Sequence, residues 1–251
     1  MKLKVGQTIR VGFAFFSICA FWQMYNTVIP LILTNTFSLN ETISGVIMAA
    51  DNILALFLLP FFGALSDRSH NKMGRRKPFI LFGTIAAVVL MIMLPFIDNS
   101  YYASPSLAKE ALFIGVLGCL LVAMGTYRSP AVALMPDVTP KPLRSRGNAI
   151  INLMGALGGI LYLAISAVLY SSAKTAGLPH VNYIPIFFII AGVMLIALCI
   201  VMITVDEVRL KKEVDDYEAA HPEENLMEDD GSGEAVLPPA VKRSLIFLLI
   251  S

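Results

Sequence analysis

The sequence predicts an all-α membrane protein that crosses the lipid bilayer six times. Hydrophobic residues make up 57% of the chain and charged residues 15%, whereas a soluble domain carries about 25% charged residues; the mean hydropathy is +0.73. A helix needs about 20 mainly apolar residues to cross about 30 Å of hydrocarbon, and six runs of the chain have that length. The runs are Val11–Leu33, Ile43–Leu65, Phe79–Ile97, Ala111–Met135, Ala149–Tyr170 and Ile184–Val205.

The basic residues predict how these runs are oriented. If the runs alternate in direction, 16 of the 19 Lys and Arg residues lie on the side of the N-terminus, and only Lys109 and Lys174 lie in loops on the other side. Basic loops remain in the cytoplasm, so we expect a multi-pass protein of a cell membrane (plasma or cytoplasmic) with a cytoplasmic N-terminus. Asp98, directly after the third run, is then expected in an outer loop, and His70 in an inner one.

Cysteine and histidine positions give no indication of catalysis or of a bound metal. Cys19, Cys119 and Cys199 all lie inside apolar runs, where cysteine packs as a small apolar residue. The three histidines lie in separate loops. We expect no enzyme activity, no metal site, no cofactor and no nucleic-acid partner.

Composition divides the chain into three parts. Residues 1–205 hold the six apolar runs, and residues 206–243 form an acidic linker. Twelve of the 18 Asp and Glu residues lie between positions 206 and 234, which is typical of a solvated segment, and Glu207–Tyr217 is a candidate for a short helix. Residues 244–251 are apolar but too few to span a bilayer, so we interpret them as the start of a seventh helix, and the chain as the first half of a longer protein.

The loop between the second and third runs carries the most informative motif. It combines Gly63-Ala-Leu-Ser-Asp67-Arg68 with Gly74-Arg75-Arg76-Lys-Pro. This pattern resembles the signature loop between the second and third helices of the major facilitator superfamily of secondary transporters. The resemblance implies an N-terminal six-helix bundle of two inverted three-helix repeats, with substrate bound near the membrane midplane against a C-terminal six-helix half. It also implies that the loop closes the cytoplasmic side through the gate residues Gly63, Asp67, Arg68, Gly74, Arg75 and Arg76.

Two further features narrow the resemblance. Five residues, Ser69–Met73, separate Asp-Arg from Gly-Arg, and the fourth run contains Arg128-Ser-Pro-Ala-Val-Ala-Leu-Met-Pro-Asp137. The longer loop is similar to that of the glycoside–pentoside–hexuronide:cation symporters and, more closely, of the sucrose/proton carriers of plants and animals, and the fourth-run segment is similar to the fourth helix of the sucrose-type carriers. The resemblance implies proton-coupled symport of a sugar of the glycoside or disaccharide type by alternating access. A carrier of a non-sugar solute is the alternative, because a fold does not determine its substrate.

Sodium coupling is a second alternative. Melibiose-type sodium carriers place two carboxylates one turn apart on the second helix, just before the loop, and one on the fourth. Aligned on the loop and on Pro136, these positions are Ala55, Leu59 and Arg128 here. Sodium is a hard cation that needs several oxygen ligands, so the sequence favours protons.

Asp51 and Arg128 are the candidate proton-coupling residues. A charged side chain at the centre of a membrane helix costs about 2.5–3.5 kcal/mol on insertion scales, so it normally faces a cavity or a partner. At 1.5 Å per residue, Asp51 lies about 18 Å and Arg128 about 12 Å from the inner helix ends. We expect Asp51 to take up and release the proton and Arg128 to line the same cavity; a purely structural ion pair is the alternative.

Aromatic and amide side chains on the first, fourth and fifth runs are the candidate sugar contacts. Trp22, Gln23 and Asn26 are spaced to share one helix face. Amides bind sugar hydroxyls and an aromatic ring covers the apolar face of a sugar, whereas the alternative role of such residues is helix packing. The predicted substrate-binding set is Trp22, Gln23, Asn26, Tyr127, Arg128 and Asn152.

Overall fold

The computed structural model describes residues 3–69 and 71–222, and this part of the chain contains helices and loops but no β-strand. Within it, six helices are long and apolar enough to cross a membrane, so the predicted all-α fold with six spans is confirmed. The helices are α1 (Val5–Leu31), α2 (Glu41–Asp67), α3 (Lys77–Ala103), α4 (Leu107–Asp137), α5 (Arg144–Leu169), the short α6 (Ser172–Thr175), α7 (Ile184–Thr204) and α8 (Glu207–Ala220). Most of the predicted linker and the predicted start of a seventh helix lie outside the described residues.

Most of the spanning helices extend beyond the apolar runs, because polar residues continue the helical backbone past the hydrocarbon. α2 begins after Asn40, whose side chain accepts a hydrogen bond of 3.0 Å from the Thr42 N–H and so caps the helix. α3 continues to Ala103, so Asp98 lies inside this helix and is 0% exposed. The expectation that Asp98 lies in a loop was wrong, because an acidic residue can end an apolar run in the sequence while the helix itself continues.

The spanning helices pack in a set of close pairs. α1 packs along α5 and α7, α3 along α4 and α7, and α2 along α4. A methyl group at Gly158 would overlap the Phe16 carbonyl, and one at Gly83 would come within 2.8 Å of the Tyr127 backbone nitrogen. These two glycines therefore allow α5 to approach α1, and α3 to approach α4, at backbone contact distance.

α2 forms an outer wall of the bundle. No residue in its most apolar 18-residue window is buried, and Ile53, Leu56 and Phe57 are each more than 60% exposed. An apolar helix face of this kind is stable only against lipid or against another apolar surface.

The acidic helix α8 lies across the end of the bundle that carries the N-terminus; it is the short helix expected from Glu207. Glu213 forms an ion pair with Lys4, with 2.7 Å between Oε2 and Nζ, and Glu218 accepts a hydrogen bond of 3.1 Å from the Lys141 N–H. We call this end, formed by the start of α1, the α2–α3 loop, the α4–α5 connection and α8, the basic end. The acidic residues of α8 neutralise part of the positive charge of the basic end and connect segments that are distant in sequence.

Candidate functional site

A cleft between α1, α2 and α4 holds three of the predicted site residues. Trp22 comes from α1, Asp51 from α2 and Arg128 from α4, and the cleft has a volume of about 20 Å³, enough for one water molecule. The remaining lining is apolar: Leu54, Ala55, Leu58, Leu59, Leu121 and Gly125. A few polar groups between apolar walls are the usual form of a small-molecule site.

Arg128 lies over the face of Trp22. Its Cζ atom is 5.5 Å from the centroid of the indole ring, within the distance of about 6 Å at which a cation is attracted by an aromatic face. The Nε1 atom of Trp22 is buried and has no hydrogen-bond partner among the described residues. The cleft therefore offers a cation, an aromatic face and an unused N–H donor at one place.

Asp51 faces the same cleft with one unpartnered oxygen. Its Oδ1 atom is buried without a hydrogen-bond partner in the described part of the chain, and no nitrogen of Arg128 comes within the 4.0 Å of an ion pair there. Tyr25, three residues after Trp22, interacts electrostatically with Asp51. The hydroxyl group of Tyr25 is also buried without a hydrogen-bond partner among the described residues. An unpartnered carboxylate oxygen in an apolar site is costly in free energy unless a ligand or a neighbouring group hydrogen-bonds to it.

The other predicted sugar contacts lie elsewhere. Gln23 is half-buried, Asn26 and Asn152 are exposed, and none of the three lines the cleft. Tyr127 is 2% exposed, and its hydroxyl donates a hydrogen bond of 2.9 Å to the Ala14 carbonyl of α1. Its hydroxyl therefore stabilises the contact between α1 and α4 and is not presented to the cleft.

The basic end holds a second cluster, in which one arginine contacts four groups. The Arg76 side chain is 6% exposed, and its Nε and Nη2 atoms lie 2.9 Å from Asp137 and 2.5 Å from Asp67. Its Nη1 atom donates to the Ser66 hydroxyl at 2.5 Å and to the Gly63 carbonyl at 3.3 Å. A buried guanidinium is tolerated only when its donors are matched in this way. Arg76 thus connects the end of α2, the start of α3 and the end of α4.

Glu207, the first residue of α8, is hydrogen-bonded to the backbone at the start of α3. Its carboxylate is 2% exposed and accepts hydrogen bonds from the backbone N–H groups of Arg75 at 2.7 Å, Arg76 at 2.9 Å and Lys77 at 3.0 Å. An anion at the N-terminus of a helix satisfies its free N–H groups and interacts favourably with the helix dipole. Gly74 has φ = +109°, and a methyl group there would overlap the Glu207 carboxylate, so this turn requires glycine twice over.

The remaining basic residues of the loop extend the cluster. Lys77 Nζ donates to the carbonyls of Met202 at 3.0 Å and Val205 at 2.8 Å, which satisfies the end of α7. Arg75 Nη2 lies 3.6 Å from the carboxylate of Asp137, and Arg68 is the exposed residue that follows α2. The loop motif therefore joins α2, α3, α4 and α7 within this one bundle.

Comparison with known proteins identifies the family. The profile of the Major Facilitator Superfamily matches residues 11–250, which include all six spans and the loop. The chain belongs to the major facilitator superfamily. The resemblance carried by the loop motif is confirmed, and the six helices fit the N-terminal bundle of the superfamily fold in a multi-pass membrane protein.

Several curated superfamily members are similar to parts of the chain. Sucrose transport protein SUC3 of Arabidopsis thaliana is 31% identical over 144 residues, 53% of this chain and 24% of that protein. The alpha-ketoglutarate permease of Escherichia coli (strain K12) is 25% identical over 176 residues, 70% of this chain and 36% of that protein. The isoprimeverose transporter of Lactiplantibacillus pentosus is 22% identical over 162 residues, 63% of this chain and 33% of that protein. The chain thus covers between about a quarter and about a third of these relatives.

Two residues of the cluster at the basic end, Asp137 and Glu207, are not among the gate residues predicted from the sequence. Asp137 was visible as the end of the fourth-run motif, but its contact with Arg76 was not predicted. The sequence places Glu207 in the solvated linker, because the residues around it are also acidic. The structure shows that Glu207 is buried. Its position directly after the sixth apolar run, on the same side of the membrane as the basic loop, could have indicated that it contacts this loop.

Proposed function

We propose that the chain forms part of a secondary active transporter that carries a sugar together with protons by alternating access. The transporter would lie in a cell membrane with its N-terminus in the cytoplasm, as the distribution of basic residues predicts. The observation that carries the proposal is the cleft in which Trp22, Asp51 and Arg128 meet. The matched region covers only a part of the relatives, so the substrate site is completed by residues of a further six-helix half.

The composition of the cleft supports a sugar substrate. The indole ring of Trp22 can cover the apolar face of a pyranose, and Arg128, 5.5 Å away, can donate to its hydroxyls. Gln23, Asn26 and Asn152 have side chains that are not fully buried and are available to bind hydroxyls when the two halves approach. Relatives that are named as sucrose and isoprimeverose transporters support the same class.

Asp51 is the proposed proton carrier. When it is protonated, the carboxyl is neutral and its buried oxygen needs no counter-charge; when it is ionised, the positive charge of Arg128 in the same cleft compensates it. Ala55 and Leu59 line this cleft at the positions where the sodium carriers have carboxylates. The site therefore lacks the oxygen ligands that a sodium ion needs there, and sodium coupling is the less favoured alternative.

The cluster around Arg76 is the proposed inner gate. It includes the predicted gate residues Gly63, Asp67, Arg75 and Arg76, of which the three charged ones lie in contact distance of one another or of Asp137. Because these contacts hold three helix ends of one bundle together, those of α2, α3 and α4, the bundle can rock as a rigid body against its other half while the loop opens or closes the cytoplasmic side.

One observation favours a second substrate class, a carboxylate. The alpha-ketoglutarate permease aligns with more of the chain than the sugar transporters do, and a guanidinium binds carboxylates through paired hydrogen bonds. For such a substrate Arg128 would be the main contact, and Trp22 would serve only to hold the guanidinium in place.

Uptake measurements separate these possibilities. Cells that express the complete carrier containing this chain are given labelled disaccharides, hexoses and dicarboxylates under an imposed proton or sodium gradient. We expect accumulation of a sugar driven by protons, and we expect Asp51→Asn to abolish accumulation while part of the energy-independent exchange remains. Glu41→Gln, an exposed acid on the same helix, is the matched control. Accumulation by Asp51→Asn equal to that of the control would refute the role of Asp51 in proton coupling. Uptake of dicarboxylates alone would refute the proposal that the substrate is a sugar.

A further inference from the structure

A buried carboxyl group lies at the end of the bundle opposite the basic end, far from the cleft described above. Asp98 follows Lys77, near the start of α3, by 21 residues, which corresponds to about 30 Å of helix. The residue is 0% exposed, and neither carboxyl oxygen has a hydrogen-bond partner within 3.5 Å among the described residues. Thr36, in the π-helical turn after α1, faces it. Such a group is costly when it is charged unless a cation lies beside it.

His180, in the connection before α7, is that neighbour. Its Nε2 atom lies 3.6 Å from Asp98 Oδ2 and 2.7 Å from Asn99 Oδ1. The ring stacks on Tyr102, with 4.3 Å between the ring centroids and 10° between the planes. The imidazole is therefore held in one orientation, with its Nε2 atom hydrogen-bonded to Asn99 and next to the carboxyl group of Asp98.

A chain of hydrogen bonds determines which nitrogen of His180 carries a proton. The Ile184 backbone N–H donates to Asn182 Oδ1 at 3.0 Å, so this atom is an acceptor. Asn99 Nδ2 donates to the same oxygen at 3.1 Å, which leaves Asn99 Oδ1 to accept from His180 Nε2. Nε2 thus carries its hydrogen, and a second proton on Nδ1 makes the ring a cation beside Asp98.

The other charged or titratable groups nearby do not replace His180 as a partner. Lys109 of α4 and Lys174 of α6 donate to backbone carbonyls at the ends of α3 and α5. The hydroxyl of Tyr183, directly before α7, has its pKa raised to about 12, first by burial and then by the nearby charge of Asp98, so it stays neutral at physiological pH. Among the described residues, His180 is the basic side chain within 4 Å of Asp98.

We propose that Asp98 and His180 together form a proton-binding site at this end of the bundle, separate from Asp51. The site holds one exchangeable proton, either on the carboxyl of Asp98 or on Nδ1 of His180, and the two forms are a single titrating unit. When the proton is bound, α3 is attached to the connection before α7 by a neutral or an ion-paired contact. When it is lost, a buried carboxylate faces a neutral ring and the contact weakens.

The sign of the pH dependence follows from this arrangement. In the unfolded chain water solvates both groups, so the buried pair holds its proton more tightly than the unfolded chain does. Stability contributed by the pair is therefore present at low pH and is lost as the pH rises. This expectation concerns the folded bundle alone and does not depend on substrate or on the role of Asp51.

Thermal unfolding of the full purified chain in detergent tests the proposal. The Tm is measured between about pH 5.5 and about pH 8.5, on either side of the ordinary histidine pKa of about 6.5, for the parent chain, Asp98→Asn and His180→Gln. Across this range we expect the Tm of the parent to fall by about 2–4 °C more than that of Asp98→Asn. His180→Gln keeps the buried carboxyl but removes its basic neighbour, so its Tm should already fall below about pH 6.5, where the Tm of the parent is still constant; this difference supplies the comparison even if Asp98→Asn does not fold. Lys174→Gln is the control and should keep the parent profile; parallel profiles for the parent and the folded variants would overturn the proposal.

Discussion

Replacing Glu207 with alanine is expected to destabilise the basic end by about 3–5 kcal/mol. Three backbone N–H groups, those of residues 75–77, lose their acceptor. An unsatisfied buried donor costs about 1–3 kcal/mol; because the vacated space admits some water, the low end of that range applies and gives about 3 kcal/mol. Loss of the carboxylate from the helix N-terminus adds up to about 2 kcal/mol. Glu207→Gln keeps the size and one acceptor oxygen, so we expect about 1–2 kcal/mol from the lost charge.

Thermal unfolding of the purified chain, followed by circular dichroism, measures this effect. At about 2–4 °C per kcal/mol for a chain of this size, Glu207→Ala should lower the Tm by about 6–20 °C and Glu207→Gln by about 2–8 °C. Gly74→Ala should act in the same direction, because its methyl group displaces the same carboxylate. Asp216→Asn, an exposed acid on α8, is the matched control. If Glu207→Ala unfolded within about 2 °C of the parent, the carboxylate would not hold the start of α3 and the reasoning would be refuted.

Two further predictions concern the same end of the bundle. Arg76→Lys should lower the free energy of unfolding, measured with urea, by about 2–3 kcal/mol, because an ammonium group cannot reach both Asp67 and Asp137 as the guanidinium does. An unchanged unfolding midpoint, equal to that of the exposed control Arg146→Lys, would contradict this. Lys4 and then Arg209 lower the pKa of Glu213 below its usual 4.5, so the contact between α8 and the N-terminal segment should persist down to that pH and be lost only as the pH falls further. The distance between spin labels at positions 7 and 216 should therefore lengthen only in acid, and lengthening already near neutral pH would refute the assignment.

Much of the fold could be predicted from the sequence, because the property that determines it is local. A helix in lipid satisfies its own backbone hydrogen bonds, so the length and hydropathy of each run determine the number of spans. Charge at the ends of the runs predicts orientation in the same local way. The loop from Gly63 to Lys77 could be recognised because it is contiguous, and Trp22, Asp51 and Arg128 could be selected because polar groups in apolar runs are rare.

Only the tertiary structure decided which side of each helix faces which neighbour. Glu207 and the Arg76 backbone that it binds are 131 residues apart, and the Tyr127 hydroxyl is engaged by α1 because α4 is rotated toward it. Asp98 is buried although it follows an apolar run, because α3 continues as a helix and is covered by the segment before α7. Sequence alone determined six membrane-length helices, the superfamily motif and a short set of polar candidates. Rotation and contact between distant helices, which no local pattern contains, decided which candidates meet in a cleft, which are used in packing and which acids are buried.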